Sequence, residues 1–264
     1  MKTRLMNEAI ERNLIQEQIK QGEILSKHLN GKQIDHLLII IDILALLVSK
    51  DYNLSRDKEE LLKNVKLLYP AVRVLFKKHL TLAGSNPKKI DAISTKFNDS
   101  GPRSAPWKPT SSRVPGRPQD GEDGNRTNRW HLPEDHKFYA TEIDAKLVGI
   151  KYFLQALSME GAPPLPPNSI QNSFIWLLGH RVEPGQCLDP IQLEPISFLR
   201  FIENPRSIES GHVIPLDRGG KHIPSNTFLM ESQSNRIQNN LTLDELWVWI
   251  EKILRKHQPE LFKE

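Results

Sequence analysis

"GHVIPLDRGGKHIPSNTFLMESQSN" runs from Gly211 to Asn235, and its reading decides the fold. It sets His212 in a short apolar run and follows with the turn Gly219-Gly220. It then opens a second apolar run at Asn226 and places Asn235 beyond it. "HVIPL" suits a short strand ended by "DRGG", and "NTFLM" suits a second strand. "ESQSNRIQNN" reads as a short helix. The two glycines let the backbone turn sharply. Asp217, Arg218, Lys221 and His222 populate the loop between the strands. Taken singly, each residue has a plain explanation. His212 fits a satisfied core histidine, Asn226 a turn residue and Asn235 an exposed helix residue. Packing alone does not require the three together in this order.

Outward from that stretch the texture is mostly helical. "LTLDELWVWIEKILRKH" (241–257) carries a capping-box pair, Thr242 and Glu245, and an apolar stripe of Leu246, Ile250, Ile253 and Leu254. Trp247, Trp249 and Ile250 are expected to brace the two strands by packing. Upstream, "SFIWLLGHRVEPGQCLDPIQLEPISFL" (173–199) reads as short strands and loops. "YATEIDAKLVGIKYFLQALSM" (139–159) reads as a helix stopped by "EGAPPLPP". Residues 98–137 are rich in Pro, Gly, Ser and charge and read as a linker or long loop. Arg103, Lys108, Arg113 and Arg117 interleave with Trp107 there. That pattern fits a solvated spacer, or a track for a phosphate backbone with one stacking ring. Residues 1–97 read as a helical domain. It has helices over 5–29, over 34–49 (apolar almost all round, hence central to a core), over 55–68 capped by Ser55, and from Pro70 onward. The expected fold is α+β: a mostly helical N-terminal region, a linker, and a C-terminal domain over 138–264 whose strand-loop-strand-helix core spans about 208–241.

Composition excludes several classes. Lys and Arg number 36 against 32 Asp and Glu, a net charge of +4 that permits a polyanionic partner without demanding one. Cys187 is the one cysteine, so neither an intrachain disulfide nor a cysteine zinc cage can form. "LLIIIDILALLV" (37–48) is too short for a membrane span and contains Asp42. The charged N-terminus lacks the apolar core of a signal peptide. A cytoplasmic protein without a membrane partner is expected.

The order and spacing of "HVIP", "GG", "SNTFLM" and "SNRIQNN" resemble the HNH (ββα-metal) nuclease family, over roughly residues 180–241. The resemblance implies a metal-dependent DNA endonuclease leaving 5′-phosphate and 3′-hydroxyl ends, with restriction-type (type II) cleavage as the expected subclass. It makes His212 the general base and Asn226 a positioning residue that ties the loop together. It makes Asn235 a ligand to Mg²⁺ or Mn²⁺, with Asn239 one turn later as a second ligand. Arg218, Lys221 and Arg236 are expected phosphate clamps. Double-stranded DNA is the implied partner, and a homodimer is left open. Two departures stand out. The family usually places Asp, Glu or His just before the central histidine, where this chain, like some members with a small residue there, has Gly211; the site then recruits another carboxylate such as Glu209, holds the metal weakly, or has lost activity. Many members also carry a structural zinc on two cysteine pairs. Here Pro190, Glu231 and Ser234 replace three of the four cysteines, so no structural zinc is expected. The competing expectation is an HNH-fold module that binds DNA and cuts nothing.

Overall fold

The computed structural model describes residues 31–54, 57–104, 127–166 and 169–262. The helix expected over 5–29 and the cation–tryptophan run from Trp107 to Arg117 lie outside them. Three long helices come first: α1 (Gly31–Leu54), α2 (Lys58–Leu82) and α3 (Pro87–Ser100). A short antiparallel pair follows, β1 (Arg103–Ser104) with β2 (Thr127–Asn128). Then come α4 (Glu142–Leu157), α5 (Ile175–Leu178) and α6 (Phe198–Glu203). The second sheet pairs β3 (Ile208–His212) antiparallel with β4 (Thr227–Glu231). It leads directly into α7 (Ser232–Gln238), and α8 (Leu243–His257) closes the order. The architecture is α+β, with small two-stranded sheets among helices. Among the described residues no helix is long and apolar enough to cross a membrane.

Helix starts follow the caps in the sequence. The Asp57 carboxylate accepts from the amides of Glu59 and Glu60 at 3.0 and 3.2 Å, so Asp57 starts α2 where Ser55 was expected to. Pro70 does not begin a helix; it lies inside α2. An interior proline costs about 3 kcal/mol. The helix runs through because Leu68, Tyr69, Ala71 and Val72 around it are all buried. The box at Thr242 and Glu245 forms as expected.

One hydrophobic cluster runs from α1 through α4 to Ile208 and Leu229 of the second sheet. The core is therefore continuous across residues 98–137. Phe76, Phe97, Phe153 and Phe201 interlock at its centre. Two expectations about burial fail. Helix α1 is not apolar core all round, because Ile39 and Leu46 are 59% and 70% exposed. Helix α8 does not brace the sheet through its tryptophans. Trp247 and Trp249 are exposed, and only Leu246 of that helix is buried. The stretch 173–199 is also not strand. It holds α5, two isolated bridges (Leu188 with Pro195, and Ser197 with Glu160) and the start of α6.

Asp189 does the joining work in that stretch. It is buried and accepts from the amides of Ile191 and Gln192, both at 2.9 Å, and from the Ser234 hydroxyl at 2.8 Å. Its other oxygen accepts from the amide of Glu231 at 2.8 Å. One carboxylate thus ties residues 189–192 to the β4–α7 junction. Asp189→Ala leaves four donors without this acceptor, the Ser234 hydroxyl among them buried, and we expect urea denaturation to show a loss of about 2 kcal/mol. An unchanged midpoint would show that the tie is dispensable.

Candidate functional site

The second sheet is docked on α4 by polar contacts. Lys151 donates to the carbonyl of Pro224 at 2.7 Å, and Gln155 accepts from the amide of Leu229 at 3.1 Å. The Tyr152 hydroxyl bonds to that of Ser210. Burial lowers the Lys151 ammonium to about 8 and raises the Tyr152 phenol to about 12. Gln155 and Asp189 occupy the outward amides of β4, and side chains also cover the outer edge of β3. There Lys96 donates to the carbonyl of Ile208, and Gln238 to that of His212 at 2.6 Å.

The first strand ends at His212; it was expected to begin there. The reason is Pro215, which has no amide for a ladder and instead opens a helical turn over Leu216–Arg218. The return loop is held by Asn226, which is buried. Its amide oxygen accepts from the amide of Ile214 at 2.8 Å, and its nitrogen donates to the carbonyls of Ile214 and Lys221 at 3.0 and 2.8 Å. Gly219 takes φ +82°, the left-handed region that favours glycine. A side chain at Gly220 would strike the carbonyl of Ile214.

Asn235, on α7, donates from its amide to the Glu209 carboxylate at 2.5 Å. Glu209 lies two residues before Gly211 and so shares its face of β3. A side chain at Gly211 would collide with Met230 and the ring of Phe228. Any side chain at position 211 would have to displace Met230 and Phe228, and the carboxylate on this face belongs to Glu209.

His212 faces the other way. Its Nε2 lies 3.3 Å from Nδ1 of His222, and His222 Nε2 lies 3.1 Å from the carbonyl oxygen of Gly101. Arg129 is buried against the same carbonyl, donating to it at 2.8 Å and to the carbonyls of Ser100 and Phe138, each at 3.1 Å. Burial lowers Arg129 to about 10, so it stays charged at neutral pH. Burial, and then the Arg129 cation, push the His212 imidazole down to about 4. His222 is pushed well below the usual histidine range by burial first, then by Arg129 and His212. Both rings are neutral at pH 7.

Asn226 is thus placed to clamp the loop, and Asn235 is joined to Glu209. The structure does not bring His212 to Asn235, because their side chains lie on opposite faces of β3. Asn239 does not continue the face of Asn235. It leaves the helix with a positive φ of 49° and is exposed. Arg218 is engaged elsewhere, paired to Glu245 and near the carbonyl of Asn240, which fastens the loop to α8. Lys221 and Arg236 are exposed. Sequence reasoning missed His222 and Arg129. The pattern "GGKH" holds a clue to the first; nothing local marks the second.

The oxygen donors at Glu209 and Asn235 suit a hard divalent cation. Mg²⁺ takes one or two protein oxygens and fills its octahedron with water and phosphate oxygens. A half-turn of the Asn235 amide exchanges its nitrogen for its oxygen toward Glu209. Among the described residues no group of three His, Cys, Asp or Glu is gathered.

No family model matches the sequence, and neither does any curated protein. Among solved structures, the crystal structure of a type II restriction endonuclease aligns with 23% identity and a TM-score of 0.38, over 49% of this chain. The chain covers 61% of that structure's length. At that TM-score the likeness bears on neither fold nor function.

Proposed function

We propose that the chain is a metal-dependent DNA endonuclease of the HNH type. His212 is its general base, Asn226 the clamp of the loop behind it, and Glu209 with Asn235 the holders of Mg²⁺ or Mn²⁺. The contact between Glu209 and Asn235 carries this reading. It supplies a carboxylate to a site whose usual acid position is glycine, and it does so from the same face of the strand. His212 takes a proton from water; the hydroxide attacks phosphorus, and the bond to the 3′-oxygen breaks. When bound, a divalent cation supplies charge stabilisation to the phosphate and the leaving oxygen. With His212 and Glu209 on opposite faces, the phosphodiester must span β3 past its outer edge, where Lys96 and Gln238 hold the carbonyls of Ile208 and His212. Lys221 and Arg236 are the exposed cations closest in sequence to the loop and helix, suited to phosphate contacts that position the duplex. Restriction-type cutting, by a homodimer at a symmetric site, is the subclass we assign.

Supercoiled plasmid, Mg²⁺ or Mn²⁺, and the Glu209→Gln protein test this. The wild type is expected to nick or linearise the plasmid only with the cation. The variant should be slower by about tenfold or more at the same Mg²⁺ concentration. Cutting that persists in chelator, or equal rates for the two proteins, would count against the reading. One observation favours the second reading, a DNA-binding module without cleavage: the His212 ring is turned to His222 and not toward Asn235. That reading predicts binding that weakens steeply with salt and no strand breaks in any divalent cation.

A further inference from the structure

We infer that His222 is the positioning residue for His212. It fixes the His212 proton on Nε2 and so leaves Nδ1 as the atom that receives the proton of water. The second half of the inference rests on the nuclease reading above; the first half does not.

The argument begins at a carbonyl. A carbonyl oxygen only accepts, so the His222 nitrogen facing Gly101 at 3.1 Å must be the one that carries hydrogen. A neutral imidazole has one protonated nitrogen, which leaves Nδ1 of His222 as a lone pair. His212 presents Nε2 to that lone pair at 3.3 Å, so the His212 proton also sits on Nε2. Its own lone pair is then on Nδ1.

The chain of bonds would reverse if His222 were doubly protonated. Arg129 guards against that. Its guanidinium already occupies the Gly101 carbonyl, and a second cation in the same buried place is opposed by both charge and desolvation. His222 itself is fully buried, so water cannot stabilise the charged ring.

The anchor is rigid. Gly101 caps α3, its amide donating to the carbonyl of Phe97 at 2.9 Å. It crosses α4 so closely that a Cβ added to Gly101 would lie 2.9 Å from the Cα of Gly149. The tautomer of His212 is therefore set by backbone from the helical half of the chain, carried through one side chain of the loop.

Nitrogen NMR on protein labelled at its histidines reads the tautomer directly. In the wild type the His212 Nδ1 should show a pyridine-type shift and its Nε2 a pyrrole-type shift. His222→Phe removes the acceptor, and the two His212 nitrogens should move toward a mixture. Cleavage by that variant should fall by about 10- to 100-fold in kcat with KM for DNA unchanged. His222→Asn keeps an amide oxygen near the old Nδ1 and should recover most of the rate. His222→Gln places its amide nearer Gly101 and should not. A pyrrole-type Nδ1 on wild-type His212 overturns the inference, as does full-rate cleavage by His222→Phe. A wild type that cuts nothing yet shows the stated shifts removes the nuclease reading and leaves the positioning role standing.

Discussion

His212→Ala is expected to cut plasmid DNA about 10²- to 10⁴-fold more slowly than the wild type at neutral pH, the span a positioned general base contributes. DNA binding and its salt dependence should hardly change, because no phosphate clamp is removed. The acid limb of the wild-type rate has a definite place. A base works only when unprotonated, and His212 is held down to about 4 by burial and by Arg129. Cleavage should therefore stay level as pH falls through 6.5, where a free histidine would begin to fail, and drop only toward 4. The same shift makes His212 a weaker base than an exposed imidazole, which limits the rate that the wild type can reach. A limb near 6.5, or wild-type cutting by His212→Ala, would place the base elsewhere.

How much of this was legible in the residues alone depends on where each partner lies. The turn at Gly219, the short helix after Glu231 and the box at Thr242 follow local rules, and each lies where the sequence pattern puts it. Asn226 bonds within its own loop, so its neighbours are readable a few positions away. Position 211 was readable as a departure from the HNH pattern that the sequence resembles, and Glu209 as a candidate replacement, but the reason was not. Only the packed Met230 and Phe228 show why glycine is needed there. The strand that ends at His212 was misplaced because "HVIPL" is as apolar as a strand, while Pro215 cannot serve as one. Pro70 misled in the opposite sense, since the buried residues on either side of it outweigh its local cost. The bond from His222 to Gly101 spans 121 positions, and Arg129 spends its donors on carbonyls, so no acidic partner betrays it. The tryptophans of α8 looked like core by type and are exposed by placement.

Mild acid should weaken the fold well before carboxylates titrate. In the unfolded chain a histidine binds its proton near pH 6.5; in the folded chain His212 waits until about 4. Between those values the unfolded state holds more protons, so stability rises with pH and falls as pH drops. His212 alone should remove about 2 kcal/mol at pH 5 and about 3 kcal/mol at pH 4, relative to neutral pH. His222, also pushed below its ordinary range, adds to the loss in the same direction. Against a total stability of about 5–15 kcal/mol for a typical domain, this is a large share. Urea denaturation of the wild type and of His212→Ala at pH 7 and pH 5 isolates the contribution. The variant lacks one of the two rings, so its loss between the two pH values should be smaller by about 2 kcal/mol. Equal losses would mean that the ring at position 212 protonates in the folded protein as easily as in water. Its burial beside Arg129 would then be wrong, and with it the neutral pair that fixes the tautomer of the proposed base.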